Sequence, residues 1–62
     1  MNIKNLRLKA GLTQVELAKK LNVDQTAVSR WESGENRPLR KIQKKLAKVL
    51  GCSVEELFEE EA

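Results

Sequence analysis

Residues 13–34 have the sequence TQVELAKKLNVDQTAVSRWESG, which predicts two short helices joined by a tight turn. The first helix starts with a capping box, because Thr13 is followed three residues later by Glu16 and each can satisfy an amide of the other. Its apolar residues recur at helical spacing, at Leu17, Ala18 and Leu21. Asn22 follows, and asparagine tolerates the left-handed conformation that commonly ends a helix. We therefore expect residues 14–21 to be helical.

The second helix of the pair is predicted over residues 25–33, with Asp24 as its capping residue and Gly34 at its end. Val28 and Trp31 face inward on this helix. Its other side carries long amides, hydroxyls and a guanidinium, at Gln25, Thr26, Ser29 and Arg30. These are the chemical groups that read base edges in the major groove of DNA. The pattern therefore indicates a polar face suited to a DNA duplex.

The charged residues are distributed unevenly along the chain. Residues 1–50 hold all twelve lysines and arginines and only four acidic residues, a net charge of +8. Residues 51–62 hold five glutamates and no lysine or arginine. A basic body suits a polyanion, because phosphate contacts dominate the affinity of proteins for nucleic acids. The acidic end is then expected to point away from that surface. The charge distribution by itself would also be explained by ordinary solvated helix faces. The interpretation as a polyanion-binding surface therefore depends on the helix pair.

The length and composition predict one small domain over residues 1–62. A single cysteine excludes an intrachain disulfide and suits a reducing compartment, so we expect a cytoplasmic protein. No apolar run approaches the roughly 18 residues of a membrane span. Without histidine, the chain has no usual zinc site and its serines have no histidine partner for nucleophilic catalysis. We predict no enzyme activity, no metal and no cofactor.

Three further helices complete an all-α prediction. The first covers Ile3–Lys9, and its inward residues are Ile3, Leu6 and Ala10. Pro38 suits the first turn of a fourth helix over Leu39–Leu50, because its missing amide hydrogen is not needed there. A second capping box, Ser53 with Glu56, starts a short fifth helix. The residues of that helix available for packing are Val54, Leu57 and Phe58.

The ordered set of these residues resembles the Cro and phage-repressor (XRE-like) helix-turn-helix domains. Ala18, Asn22 and Val28 fall at the small, glycine and hydrophobic positions of that family, four and then six residues apart. The matching flanking segments are Leu6-Arg7, Gly11-Leu12-Thr13-Gln14, Trp31-Glu32-Ser33-Gly34, Arg37-Pro38, Leu46-Ala47 and Leu50-Gly51-Cys52-Ser53. The resemblance covers about residues 3–58. It implies a compact five-helix bundle of the lambda-repressor-like type, with the helix-turn-helix pair at about residues 14–33.

In such domains the second helix of the pair lies in the major groove, while the first crosses the DNA backbone. The resemblance therefore implies base contacts from Gln25, Thr26, Ser29 and Arg30. Of these, Arg30 suits a bidentate bond to guanine and Gln25 a bidentate bond to adenine.

Phosphate contacts are expected from two segments that flank this helix. Thr13 and Gln14 open the first helix of the pair, where free amides and the helix dipole attract a phosphate. Asn36 and Arg37 lie in the loop after the second helix, where they are expected to contact phosphate. The resemblance also implies a structural ion pair, in which Arg7 and Glu32 join the first helix to the end of the third.

Together these expectations describe a sequence-specific protein that binds double-stranded DNA, in the simplest case a small transcriptional repressor. One recognition helix reads only a few base pairs, so a homodimer on a palindrome is expected, with half-sites about one helical turn apart. The contacts between the two copies would come from the fourth and fifth helices, for instance near Leu50, Val54 and Phe58, or the dimer would form only on DNA. The alternative is a protein-interaction or antitoxin-like module on the same fold, which the acidic end invites.

Two single residues also have two interpretations each. Trp31 is expected to pack in the core, the alternative being a base-stacking residue. Cys52 is expected to be a buried inert thiol, the alternative being a redox sensor.

Overall fold

The computed structural model describes residues 1–59, which form five helices and no strand. Helix α1 covers Ile3–Lys9, α2 Gln14–Leu21, α3 Gln25–Ser33, α4 Arg40–Leu50 and α5 Val54–Leu57. The predicted all-α class is confirmed, and the bounds of α1, α2 and α3 match the prediction. None of the described helices combines the length and the apolar character needed to cross a membrane. Glu60, Glu61 and Ala62, the last residues of the predicted domain, lie outside the described residues.

The helix-turn-helix pair is defined by the local signals predicted for it. At the start of α2 the Glu16 amide donates to the Thr13 hydroxyl at 3.1 Å, and the Thr13 amide donates to the Glu16 carboxylate at 3.0 Å. Asn22 ends the helix in the left-handed conformation, with φ of 59°. Gly34 ends α3 with φ of 86°, a value that residues with a side chain rarely adopt. The left-handed residues Asn22 and Gly34 therefore change the chain direction directly after α2 and α3.

The core lies where the inward faces of the helices meet. Helix α2 packs against α3 and α4, α1 packs against α3, and α5 packs against α4. The buried apolar residues are Ile3, Leu6, Leu17, Ala18, Leu21, Val28, Trp31, Leu46, Ala47, Leu50 and Leu57. The Asn2 amide donates to the Leu57 carbonyl at 2.7 Å, which joins the start of the chain to α5. This packing fixes α3 at the edge of the bundle with one face buried.

Two predicted details of the helix starts are wrong. Asp24 stands at the capping position of α3, but its side chain makes no capping hydrogen bond. The Ala27 amide, which such a side chain would accept from, donates to the Asp24 backbone carbonyl instead, at 3.0 Å. Helix α4 begins at Arg40 and not at Leu39, because Leu39 keeps an extended backbone with ψ of 156°. Pro38 therefore precedes the helix and does not form its first turn.

Ala10 is exposed, although its spacing from Ile3 predicts an inward position. Helix α1 ends at Lys9, so Ala10 lies beyond its last turn. Leu12 folds back at this point, its amide donating to the Arg7 carbonyl at 3.1 Å, and packs against the core instead.

Candidate nucleic-acid interface

Helix α3 separates its buried and exposed residues cleanly. Val28 is fully buried and Trp31 is 7% exposed, so both belong to the core. The residues predicted to contact bases are all exposed: Gln25, Thr26, Ser29 and Arg30. The helix thus offers one continuous polar face to solvent and holds itself in place by the other.

The first turn of α2 lies next to this helix in the fold, and its polar groups are partly occupied. The Thr13 hydroxyl and amide are both engaged in the capping box with Glu16. The amides of Gln14 and Val15 belong to the first turn, where a helix supplies no internal acceptor. An anion can bind such amides, and the helix dipole favours it.

A chain of hydrogen bonds connects the interior of the domain to α3. Arg7 Nε lies 2.6 Å from Glu32 Oε2, and Arg7 Nη2 donates to Glu32 Oε1 at 3.2 Å. Gln14 Nε2 donates to the same Oε1 at 3.1 Å, and Gln25 Nε2 donates to Gln14 Oε1 at 3.4 Å. The first polar residue of α3 is therefore linked through Gln14 to a buried ion pair.

The ion pair between Arg7 and Glu32 is almost fully enclosed. Their side chains are 9% and 6% exposed, and Arg7 Nη1 also donates to the Leu12 carbonyl at 2.8 Å. The hydrogen bonds that Arg7 donates to Glu32 raise the pKa of Arg7 above its ordinary value, and the burial that opposes this is outweighed. The guanidinium therefore stays charged at every practical pH, and it ties α1 to the end of α3.

The loop after α3 carries two exposed residues that were predicted to contact phosphate, Asn36 and Arg37. The Asn36 amide is directed back to α3, donating to the Arg30 carbonyl at 3.4 Å. Arg37 lies over the ring of Phe58, 5.7 Å from its centre, within the range of a cation–π contact. This contact holds Arg37 next to α5 and leaves its guanidinium at the surface.

Comparison with known proteins identifies the architecture. Residues 3–57 match the model of a helix-turn-helix family. The chain belongs to the Cro/C1-type (XRE) helix-turn-helix family. The resemblance inferred from the sequence is thereby confirmed. The family is one of DNA-binding transcription regulators and not a family of enzymes.

Relatives of this helix-turn-helix chain occur in bacteria and archaea. It is 38% identical over 56 residues to the HTH-type transcriptional activator BcrR of Enterococcus faecalis, an alignment that covers 90% of this chain and 28% of that protein. It is also 38% identical over 56 residues to an uncharacterized HTH-type transcriptional regulator of Archaeoglobus fulgidus, covering 80% of that protein. A Methanocaldococcus jannaschii regulator is 38% identical and covered over 85% of its length. The chain thus spans only about a quarter of the activator but most of the archaeal regulators.

Within this helix-turn-helix domain, sequence reasoning missed two contributions to the surface. It assigned Gln14 to phosphate only, whereas its side chain bridges Glu32 and Gln25. It gave no role to Glu35, whose Oε2 lies 3.5 Å from Nε of Arg30. The capping box was visible because its members are three residues apart, whereas these contacts join different elements and leave no local signal.

Proposed function

We propose that this protein is a sequence-specific regulator of transcription that reads double-stranded DNA with the exposed face of α3. One observation carries the proposal: α3 buries Val28 and Trp31 completely enough to fix its orientation while its whole polar face stays in solvent. A helix held this way fits a major groove about 12 Å wide. Arg30 would bind guanine and Gln25 adenine, with Thr26 and Ser29 completing the contact.

Backbone contacts would come from both flanks of α3. The first turn of α2 at Thr13 and Gln14 is proposed to hold one phosphate through the Gln14 and Val15 amides, because the Thr13 amide is engaged by Glu16. Asn36 with Arg37 is proposed to hold another. The Gln14 side chain is engaged inside the domain, so its contribution would come mainly through its backbone amide. Phosphate contacts of this kind set the register of the protein on the duplex and carry no sequence information.

A homodimer on a palindromic operator is proposed because a single α3 reads too few base pairs. Leu50 is buried, so the contact would involve α5 and the residue that follows it, Phe58, which is 36% exposed. Phe58 and Val54 line a groove of about 570 Å³ whose other residues are Arg40, Gln43 and Lys44. In a two-fold arrangement the acidic α5 of one copy would face the basic rim of the other, and this charge complementarity supports the assignment.

Phe58→Ser is expected to weaken self-association, which sedimentation of the free protein and of its complex with a two-half-site duplex would measure. Leu8→Ser is the matched control, because Leu8 is an equally conspicuous exposed apolar residue on α1, 56% exposed. An equal loss of association in both variants, or no loss in either, would contradict an interface at α5.

Repression by occupation of an operator is the proposed outcome, since it requires only that the bound protein exclude polymerase. A reporter gene placed behind the selected operator decides between repression and activation. The relative from Enterococcus faecalis is named an activator, so an increase in reporter output is the alternative result.

The test of DNA binding is a titration of labelled random duplex at two salt concentrations, followed by selection of bound sites from a random pool. We expect the affinity to fall steeply with salt, because bound phosphates release counterions. We expect the selected sites to be symmetric, with half-sites one turn apart. Binding with no salt dependence would refute the proposal and favour the protein-interaction module, to which exposed Phe58 and the acidic α5 would then belong.

A further inference from the structure

Glu35 stands out among the four acidic residues of the basic body. Glu16 closes a capping box, Glu32 belongs to the buried ion pair, and Asp24 stands at the start of α3, where the helix dipole favours negative charge. Glu35 follows the C-terminal end of α3, where the same dipole disfavours a carboxylate. Its side chain is 67% exposed, so the core does not require it. Its charge also opposes any phosphate bound by the neighbouring loop.

The backbone holds Glu35 beside Arg30. After the reversal at Gly34, the Glu35 amide donates to the Arg30 carbonyl at 3.0 Å and the Asn36 amide donates to it at 3.4 Å. The Ser33 hydroxyl donates to the same carbonyl at 3.1 Å. The ion pair between the two side chains, 3.5 Å from Nε to Oε2, therefore forms on a main chain already fixed in that arrangement.

We propose that Glu35 is a positioning residue for Arg30 and a determinant of sequence preference. It engages the guanidinium from the Nε side, which would leave the two terminal nitrogens for a bidentate bond to guanine. Its charge also offsets that of Arg30 towards phosphate, so binding to unselected DNA is weakened more than binding to the preferred site. The inference rests on the proposed function.

The expected effect is modest, because an exposed ion pair stabilises one geometry by less than about fivefold. A bidentate bond to guanine discriminates by about 5- to 150-fold. Glu35 therefore adjusts the preference for guanine that Arg30 creates, and without Arg30 it has no effect on sequence preference.

The experiment compares Glu35→Gln with wild type on two duplexes: the best site from the random pool and the same site with its guanines replaced. Glu35→Gln keeps the shape and removes the charge, and Glu59→Gln is the matched control, an exposed glutamate that follows α5 and lies outside both the helix-turn-helix pair and the groove proposed for the dimer. The same comparison is repeated in an Arg30→Ala background. Circular dichroism verifies that each variant is folded, and the Arg30 Nε–Hε resonance of the free protein reports the ion pair directly.

We expect Glu35→Gln to bind the altered duplex more tightly and to lower the preference about two- to fivefold, with a shifted Arg30 Nε–Hε resonance. Glu59→Gln should leave the preference and the resonance unchanged, and in the Arg30→Ala background Glu35→Gln should not alter the preference. Equal tightening on both duplexes, or the same change without Arg30, would overturn the inference and leave DNA binding intact. Absence of salt-dependent binding by the wild type would instead refute the proposed function itself.

Discussion

Removing the carboxylate of the buried ion pair is expected to cost this small domain much of its stability. In Glu32→Ala, Arg7 would remain enclosed with the Leu12 carbonyl as its remaining described partner, and Gln14 would lose its acceptor. Breaking a buried pair from one side typically costs about 3–5 kcal/mol. A chain of 62 residues has a total free energy of unfolding of about 3–9 kcal/mol. We therefore expect Glu32→Ala to lose at least about a third of that free energy.

Urea unfolding followed by circular dichroism measures this free energy, and three further variants identify its cause. Glu32→Gln keeps an acceptor without the charge and should lose less, about 1.5–3 kcal/mol. The double variant Arg7→Met with Glu32→Leu should recover most of the loss, because apolar residues of similar volume replace buried pairs well. Glu35→Ala is the matched exposed control and should lose less than about 1 kcal/mol. A loss below that level in Glu32→Ala, or no recovery in the double variant, would refute the argument from burial.

Three other outcomes are expected. Arg30→Ala should reduce discrimination at one base position by about 5- to 150-fold, while Arg37→Ala should weaken binding to all duplexes alike and reduce the salt slope by about one. Binding to selected and altered sites at several salt concentrations separates the two effects. Interchanged results would show that the roles of the two arginines are misassigned. The Thr13 amide and hydroxyl lower the pKa of Glu16 below its ordinary 4.5, so the stabilisation from its charge is fully present above pH 4.5 and is lost as the pH falls through the lowered value. Glu16→Gln should therefore unfold at a lower urea concentration than wild type at pH 7, but at the same concentration in strong acid. A difference that does not change with pH would contradict this. Burial, with a smaller contribution from Glu56, raises the pKa of the Cys52 thiol. Iodoacetamide at pH 8 should therefore modify the folded protein more slowly than the unfolded chain, and equal rates would instead support a reactive thiol.

The sequence predicted those parts of the fold that are encoded within three or four residues. Both capping boxes, the left-handed Asn22 and the glycine at the end of α3 are local patterns, and the structure contains all of them. Ala10 was mispredicted because helical periodicity does not reveal that Leu12 folds back over the last turn. Asp24 was mispredicted because its own carbonyl competes with its carboxylate for the same amide.

The candidate surface was predictable in its outline and not in its connections. The exposed face of α3 follows from periodicity, since Val28 and Trp31 fix which side is buried. The link from Gln14 to Glu32 spans 18 residues, and the contact of Arg37 with Phe58 joins a loop to α5. Such contacts depend on how helices pack against each other, which the spacing of residues along the chain does not specify.

The hydrogen bond from Gln25 to Gln14 has a consequence for attempts to engineer new operator specificity. Residue 25 is both a proposed base reader and the last member of a series of bonds that begins at buried Arg7. Exchanging Gln25 alone would free the amide oxygen of Gln14 at the protein–DNA boundary, where it would have to find water or a base donor. Libraries that redesign this domain should therefore vary positions 14 and 25 together, treating them as one recognition unit formed by two helices.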